Sequence, residues 1–505
     1  MAGGRITAVV LSVTTLILAA GLLAPLAGQA PIRLSIGDVL GLADSASENV
    51  GIARAGMDAA GGRLTQARSG WLPQLTGSAS YTRTLKSQFS SFAGASGKDS
   101  TSGPPAPIDC RRFTPNPGLS VTERLDSLER GLDCTANGSG GGLDFSNLPF
   151  GQANAWRFGL DLRQSILDFS LSARTRGARA GQAQAEAAYD AARARAVFDA
   201  ATAYYDAQLA GRLLDIADST LAQAERTLGN TRLAGEVGTA AEFDVLRASV
   251  ARDNQLPIVA QRRAQHDVAM IRLRQLLDLD SDQPLELVTP LSDTSAVPLP
   301  EQVRSVESDV VNPDDRAAVR QADAARQVAE ATRAAASAGR LPTLALTSSY
   351  AQLAYPKDVF RFGTFLSDWT VGVQLSVPLF TGGRLSGQVR EAAANAEAAR
   401  LQLKQVRENA VREASEVRQL LTAAEESFAA SEGTAHQAQR AYEIAELRVR
   451  EGLSTLTDLA DVRLQLQQAE ANRAQAARDL QVARLRLRLL RDLPIGTGST
   501  LSGGF

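Results

Sequence analysis

The sequence predicts a mainly α-helical protein with a few short amphipathic strands, arranged as two tandem repeats. Residues 369–377 alternate strictly between apolar side chains and small or polar ones, as in a strand with one apolar and one wet face. Arg384 to Arg450 then run without a proline in a helix-forming composition. The same order of strand, long helix and turn is found in the first half of the chain, which indicates an internal duplication.

The first 30 residues have the features of an export signal. Arg5 supplies the positive charge, and Val9 to Leu23 form the apolar stretch. Cleavage after Ala27 or Gly28 fits the small residues that follow as well as cleavage after Ala30. An uncleaved membrane anchor is the alternative, because the apolar stretch is nearly long enough to span a bilayer. No later segment reaches roughly 18 apolar residues, so membrane insertion of the mature chain would have to use strands.

Residues 31–311 are predicted to form the first repeat. It starts with a helical stretch that ends near Gly70, and strands are expected near 73–83 and 154–167. The other elements expected here are a long helix at about 171–232, a helix at about 240–278 and a proline-rich connector at 279–311.

A long insertion, residues 84–152, separates the two strands of the first repeat. It is rich in Ser, Gly and Pro without sustained periodicity, so we expect an irregular loop. Both cysteines, Cys110 and Cys134, lie in it. In an exported protein a disulfide between them is favoured, and two unpaired thiols are the alternative.

Residues 312–505 are predicted to form the second repeat. Pro73 recurs as Pro342 and Trp156 recurs as Trp369, each in a matching local sequence. The elements expected here are strands near 342–353 and 369–380, a long helix at about 384–450, a helix at about 455–491 and a C-terminal tail.

The long helix of the second repeat carries a heptad pattern. Apolar and small residues are spaced alternately four and three apart, with one extra four-residue step between Ala410 and Ala414. This pattern predicts a left-handed coiled coil, and an ordinary long coiled coil would show it equally. Four short strands cannot close a membrane barrel, because the smallest barrels have about eight strands and open edges are not tolerated in lipid. Three copies of the chain would supply twelve strands.

Two motifs accompany the duplication. One is Val-Pro-Leu-Phe-Thr-Gly-Gly at 377–383, between strand and helix, and the other is Val-Gly-Thr-(x4)-Asp-Val-Leu-Arg-Ala at 237–248, at a helix turn. With these motifs the chain resembles the TolC family of outer-membrane efflux proteins over essentially its whole mature length. The resemblance implies a tandem-duplicated fold whose four strands per chain contribute to a trimeric 12-stranded barrel in outer-membrane lipid, continuing into a long α-helical coiled-coil barrel in the periplasm.

The same resemblance implies a function. A homotrimer of this family is a passive channel that conducts small molecules or exported polypeptide. It works with a periplasmic adaptor protein and with an inner-membrane pump, driven by protons or by ATP. A non-conducting structural or adaptor coiled-coil protein of the periplasm is the alternative, but it leaves the four alternating strands without a role.

The resemblance also implies a pore site at the helix turns near Gly238 and Gly452. Asp458 and Asp461 match family positions at which aspartates narrow the periplasmic mouth and favour cations. The alternative is that Asp458 caps the following helix and Asp461 completes its first turn, and both roles can hold together.

Asp244 matches the aspartate of the first turn. In the family pattern its restraining partners are a tyrosine three residues before the second-turn glycine and an arginine two residues after it. Here these positions hold Val449 and Ser454, so different contacts are expected to restrain this turn.

The resemblance assigns roles to the strand ends and faces as well. Pro378, Gly382 and Gly383 form the joint between barrel and tunnel. The apolar face of the strands is expected to meet lipid. Its members are Trp156, Phe158 and Leu160 in the first repeat and Trp369, Val371 and Val373 in the second.

Nothing in the sequence indicates catalysis, a cofactor or a metal site. The two histidines, His266 and His436, stand alone without a cluster of carboxylates or cysteines at ligand spacing, and no nucleotide-binding loop or nucleophile elbow occurs. A formal net charge of −2 with no strongly basic stretch gives no reason to expect nucleic acid as a partner.

Overall fold

The structure is a computed structural model that describes residues 31–86, 117–138, 153–293, 298–300, 303, 312–356, 358–360 and 363–496. The predicted export signal and Cys110 lie outside the described residues, and so does the side chain of Cys134. No helix in the described ranges combines the length and the apolar character needed to span a membrane.

Helices form most of the described chain. The first half contains β1 (Ile32–Leu34), α1 (Ile36–Ala46), α2 (Glu48–Ser69), β2 (Gln74–Arg83), α3 (Val121–Gly138), β3 (Asn154–Leu167), α4 (Phe169–Glu236), α5 (Glu242–Asp253), α6 (Gln255–Leu276) and β4 (Leu285–Leu287). The second half contains a short 3-10 turn (Pro313–Asp315), α7 (Ala317–Ala338), β5 (Thr343–Ala354), β6 (Leu366–Ser376), α8 (Arg384–Arg450) and α9 (Leu456–Leu489).

The chain divides into two compact units, and each unit takes segments from both predicted repeats. We call one the helical unit; it comprises Met1–Thr65, Arg174–Ala334 and Gly387–Phe505. The other, the sheet unit, comprises Gln66–Ala173 and Ala335–Ser386. The two-repeat division therefore describes the sequence, whereas each compact unit combines equivalent parts of the two repeats.

The sheet unit contains an antiparallel four-stranded sheet in the order β2-β3-β5-β6. Leu160 pairs with Tyr350, and Tyr350 pairs with Trp369. Since directly opposite residues in an antiparallel sheet point to the same side, this register collects the apolar residues of the strands on one face. The other face carries mostly polar and small residues, among them Thr76, Ser78, Asp161, Arg163, Thr347, Ser349, Thr370, Gly372 and Gln374.

The core of the helical unit forms where α1 packs against the long helices. Leu40, Tyr204, Leu273 and Leu489 come from four different helices, and all are completely buried. The Tyr204 hydroxyl accepts a hydrogen bond from the backbone N–H of Thr289 at 2.9 Å, which satisfies the polar end of this buried ring. Strands β1 and β4 pair in parallel beside this core, a pairing that the sequence did not predict.

The prediction of an irregular insertion is wrong at 121–138, which form helix α3. Ser120 and Glu123 make a capping box there: Ser120 N donates to Glu123 Oε2 at 3.0 Å, and Glu123 N donates to Ser120 Oγ at 3.4 Å. The abundance of Ser, Gly and Pro on both sides of this segment obscured its helical period.

Two further bounds differ from the predicted ones. The helix predicted at about 240–278 is broken at Asn254 into α5 and α6. Pro257 lies in the first turn of α6, where its missing N–H is tolerated, but it could not lie inside one continuous helix without disrupting it. The strand predicted at 369–380 begins at Leu366 and ends at Ser376, because Pro378 cannot donate a hydrogen bond to a neighbouring strand.

Candidate functional site

Gly452 closes the turn between α8 and α9. Its φ is 71°, and Leu453 N donates to Arg448 O at 2.8 Å across it. Glycine adopts this left-handed conformation without the steric cost that a Cβ would bring, and the hydrogen bond satisfies a carbonyl at the helix end. Gly452 thus ends the long helix and turns the chain into the next one.

The first repeat ends its long helix in the same way. Gly238 has a φ of 77°, and Thr239 N donates to Ala234 O at 2.8 Å. The following helix α5 starts after Ala241, which makes no side-chain capping hydrogen bond. Both turns therefore end the long helix with a glycine of positive φ and a backbone hydrogen bond. They differ at the start of the next helix, because α9 has a side-chain cap and α5 has none.

Asp458 is part of the N-terminal cap of α9. Its carboxylate accepts from Ser454 Oγ at 2.8 Å and from Thr455 N at 3.1 Å, while its own N–H donates to Thr455 Oγ1 at 3.2 Å. The hydrogen bond from Ser454, followed by those from Thr455, holds the pKa of this carboxyl below its ordinary value. Asp458 therefore makes the hydrogen bonds of a helix cap, and its side chain is still exposed to solvent.

Asp461 lies one helical turn after Asp458 and is exposed as well. Residues three apart on a helix are neighbours on its surface, so the two carboxylates present a paired negative charge at the start of α9. Arg448, near the end of α8, is close enough to Asp458 to contribute to the lowering of its pKa. These charges lie on the surface of the helical unit.

Asp244 lines a small cavity of about 50 Å³ together with residues from the first turns of α9. Arg247 and Arg463 supply positive charge to this cavity, and Leu456 and Leu459 supply apolar surface. The structure therefore brings the first-turn aspartate next to the start of α9. Ser454 stands at the position where the family pattern has an arginine. Its hydroxyl donates a hydrogen bond to the carboxylate of Asp458.

Arg463 is a residue of this cavity that the sequence did not single out. Burial lowers the pKa of its guanidinium, and nearby Tyr442 opposes that change. Tyr442 is itself buried, and burial raises the pKa of its hydroxyl. No local pattern identifies Arg463 in the sequence, because its environment is assembled from α4, α5 and α9.

The segment between β6 and α8 forms a sharp turn. Gly382 and Gly383 both have positive φ, at 58° and 87°, a conformation that residues with a Cβ rarely adopt. Leu379 and Phe380, between Pro378 and this pair, are each 92% exposed. Two fully exposed apolar side chains at a strand end are typical of a surface that another molecule or a lipid covers.

The apolar sheet face is exposed in the single chain. Trp369 is 73% exposed, and Val371 and Val373 are each 65% exposed. Phe158 and Leu160 are exposed as well, whereas Trp156 is half-buried and packs against Tyr81, with ring centroids 5.0 Å apart. Such a large apolar surface on both edge and central strands is unusual for a monomer in water.

The two histidines, His266 and His436, both lie in the helical unit. Within the described residues, no group of three or more metal-ligating side chains is close enough to hold an ion. A cavity of about 610 Å³ in the helical unit is lined by His436 among polar and apolar residues, including the ion pair of Arg473 with Glu432. His266 lies beside Asp267 on α6.

Comparisons with known proteins agree on one family. The sequence matches the profile of the family described as outer membrane efflux protein over residues 131–278 and 314–491, more than half of the chain. Nodulation protein T of Rhizobium leguminosarum bv. viciae is 27% identical over 316 residues, which cover 62% of this chain and 64% of that protein. The match thus spans less than two thirds of that relative's length.

A second relative and a solved structure extend the comparison. The toluene efflux pump outer membrane protein TtgF of Pseudomonas putida is 31% identical over 200 residues, covering 38% of this chain and 39% of that protein. The crystal structure of the CmeC outer membrane channel of Campylobacter jejuni superposes with a TM-score of 0.65 at 16% identity, covering 90% of this chain and 85% of that one. At this identity the likeness shows the fold.

Proposed function

The chain belongs to the outer membrane efflux protein family, as its resemblance to the TolC family predicted, and from that premise we propose that it is the outer-membrane channel of a periplasm-spanning export system. Three copies associate through their sheets into a twelve-stranded barrel, and their long helices form a tunnel. The channel is a passive conduit, so a partner supplies the energy for transport. The family and the fold offer no support for the alternative of a non-conducting periplasmic coiled-coil protein.

The observation that carries this proposal is the four-stranded sheet. Within the described chain, the outer edges of β2 and β6 are unpaired, and one face of the sheet is apolar while the other is polar. Backbone groups at open edges are costly in lipid, so such a sheet needs further strands to close it. Copies of the same chain supply them, with Trp156, Phe158, Leu160, Trp369, Val371 and Val373 toward lipid.

The polar face of the sheet then lines the lumen of the barrel. Thr370, Gly372 and Gln374 lie on this face of β6. The turn with Pro378, Gly382 and Gly383 leads from the strand to α8 and forms the joint between barrel and tunnel. The exposed Leu379 and Phe380 of this joint are covered by lipid or by a neighbouring copy.

The gate is formed by the helix turns. Asp458 and Asp461 of three copies form rings of carboxylates that raise the local concentration of cations in a confined pore. Asp244 and Arg463, which line one cavity, restrain the first turn against the start of α9. Opening requires these helices to separate.

The partners are a periplasmic adaptor protein and an inner-membrane pump. The Pseudomonas putida relative is named as part of a toluene efflux pump, which supports small toxic molecules over exported polypeptide as cargo.

The proposal is tested by purifying the protein from outer-membrane fractions and reconstituting it into planar lipid bilayers. We expect a heat-modifiable trimer with discrete, cation-selective conductance. A mature protein that is found in the soluble periplasmic fraction, or one that inserts without conducting, would contradict the proposal.

A further inference from the structure

Helix α3 presents an apolar stripe to solvent. Val121, Leu125, Leu128 and Leu132 are 73%, 53%, 40% and 60% exposed. Their spacing of four, three and four residues places them on one side of the helix, as the a and d positions of a coiled-coil seam. A stripe of this kind is stable in water only when another apolar surface covers it.

The charged residues on both sides of the stripe have a specific arrangement. When Leu125 is an a position, Arg124 is the g position before it and Glu129 is the e position after it. In a parallel coiled coil, a g residue of one helix meets the e residue five positions later on its neighbour, so Arg124 of one copy would face Glu129 of another. An antiparallel pair would instead bring like charges together.

The other described charged side chains of α3 have partners within their own chain. Asp126 pairs with Arg130 at 3.3 Å, and Glu123 accepts from Ser120. Arg124 and Glu129, in contrast, form no ion pair within the part of the chain that the structure describes, and both are exposed. The two charges that flank the stripe are thus the ones available to a neighbouring helix.

We infer that α3 associates with its counterparts in the other two copies as a short parallel three-helix coiled coil. This inference rests on the proposed trimer. Rotation about a three-fold axis relates the copies, so helices that lie along that axis are parallel, as the charges require. About two heptads would not associate as free peptides, but the trimer raises their effective concentration to the millimolar range.

The charge of α3 favours this partner over a lipid surface. Helices that lie on membranes are rich in Lys and Arg on their polar face. The sequence of α3 contains four acidic residues, at positions 123, 126, 129 and 133, against two arginines and no lysine. An anionic lipid surface would therefore repel this helix, whereas its own copies offer matched charges.

Cysteine cross-linking of the intact trimer tests the inference. In a Cys110→Ser, Cys134→Ser background, Leu128→Cys places a thiol in the seam, and Ser127→Cys places one at the neighbouring c position as the matched control. Under mild oxidation of outer-membrane fractions, we expect cross-linked dimers from the Leu128→Cys chain and few from the Ser127→Cys chain. Equal cross-linking at both positions, or none at either, in a protein that is trimeric overturns the inference and leaves the proposed channel standing.

Exchanging the charges at positions 124 and 129 of the Leu128→Cys chain tests the parallel pairing directly. Arg124→Glu or Glu129→Arg alone should lower the dimer yield on the order of fivefold, because each makes three like-charge contacts in the trimer. The combined exchange should restore the yield. Failure of the double variant to recover overturns the parallel pairing. A protein that is not trimeric before oxidation would overturn both the coiled coil and the channel on which it rests.

Discussion

Arg316 Nη1 lies 2.9 Å from Glu413 Oε2, and the two side chains are only 1% and 3% exposed. Arg486 Nη2 lies 3.2 Å from the other oxygen of the same carboxylate. Arg316 also donates through Nε to Leu490 O at 3.1 Å and through Nη2 to Leu493 O at 3.3 Å. One buried carboxylate therefore serves two guanidinium groups, and Arg316 joins the start of α7 to α8 and to the chain just after α9.

Glu413→Gln keeps the volume of this side chain but removes its charge. Arg316 and Arg486 would then remain buried without a carboxylate, and breaking a buried pair in this way typically costs about 3–5 kcal/mol. We expect a loss of this size in the free energy of unfolding, measured by circular dichroism of the detergent-solubilised protein in denaturant.

Glu416→Gln is the matched control one turn later on the same helix. Glu416 pairs with Arg412 at 3.0 Å, but the two side chains are 48% and 67% exposed. Water screens such a pair, so its removal should change the free energy of unfolding by less than about 1 kcal/mol. Equal losses in the two variants would contradict the role assigned to the buried cluster.

Two glycines of α8 and its turn should respond oppositely to alanine. Gly452 has a φ of 71°, and a Cβ there would strain the backbone by about 1–2 kcal/mol although no neighbour blocks it. Gly433, inside the helix, also has open space around it, and Gly433→Ala should stabilise the helix by roughly 0.5–1 kcal/mol. Thermal unfolding of both variants checks the opposite signs. A Gly452→Ala variant that unfolds at the same temperature as the parent, or above it, would show that the turn conformation does not limit stability.

The two faces of β6 should differ in their tolerance of a charge. Val373→Arg puts a guanidinium on the proposed lipid face, at a cost of about 2–4 kcal/mol if the residue lies near the middle of the membrane. Gln374→Arg puts the same group on the proposed lumen face, where water can solvate it. We expect the first variant to lower the yield of outer-membrane trimer and the second to keep it. Similar yields from both would argue against a barrel with these faces.

Local sequence patterns predicted those elements that local interactions determine. The helix from Arg384 to Arg450 is observed with the bounds that its composition indicated, and the alternation at 369–375 matches the register of β6. Helix α3 had a local signal too, the capping box of Ser120 and Glu123 followed by a regular apolar stripe. The Ser-, Gly- and Pro-rich sequence on both sides of this helix favoured the prediction of an irregular loop for the whole insertion.

Contacts between distant segments could not be predicted in this way. Arg316, Glu413 and Arg486 are far apart in sequence, and a charged residue inside a helical pattern is ordinarily assigned to the surface. Their burial follows only from the packing of three helices. Strands β1 and β4 are three residues each, too short for any period, and their pairing also depends on the assembled core.

The proposed carboxylate rings should control ion selectivity independently of the helix cap. Asp458→Asn with Asp461→Asn removes six charges from a trimer, and we expect cation selectivity and block by multivalent cations to weaken. Thr455→Ala is the matched control, because it removes a capping hydroxyl worth about 1 kcal/mol and leaves both carboxylates in place. Reversal potentials in asymmetric salt measure the selectivity. A change in the control instead of the double variant would assign these residues to capping alone.

The pKa of Asp458 makes this selectivity depend on pH in a defined direction. Its pKa lies below the ordinary value of 3.8, chiefly because Ser454 Oγ donates to the carboxylate. The ionised form therefore contributes stability and charge above pH 3.8, and both are lost as the pH falls through the lowered pKa. In an Asp461→Asn background, where Asp458 alone of the pair titrates, Ser454→Ala should move the loss of selectivity to higher pH. Reversal potentials recorded between about pH 5 and pH 2 measure the midpoint, and an unchanged midpoint would show that the Ser454 hydrogen bond is absent from the assembled pore.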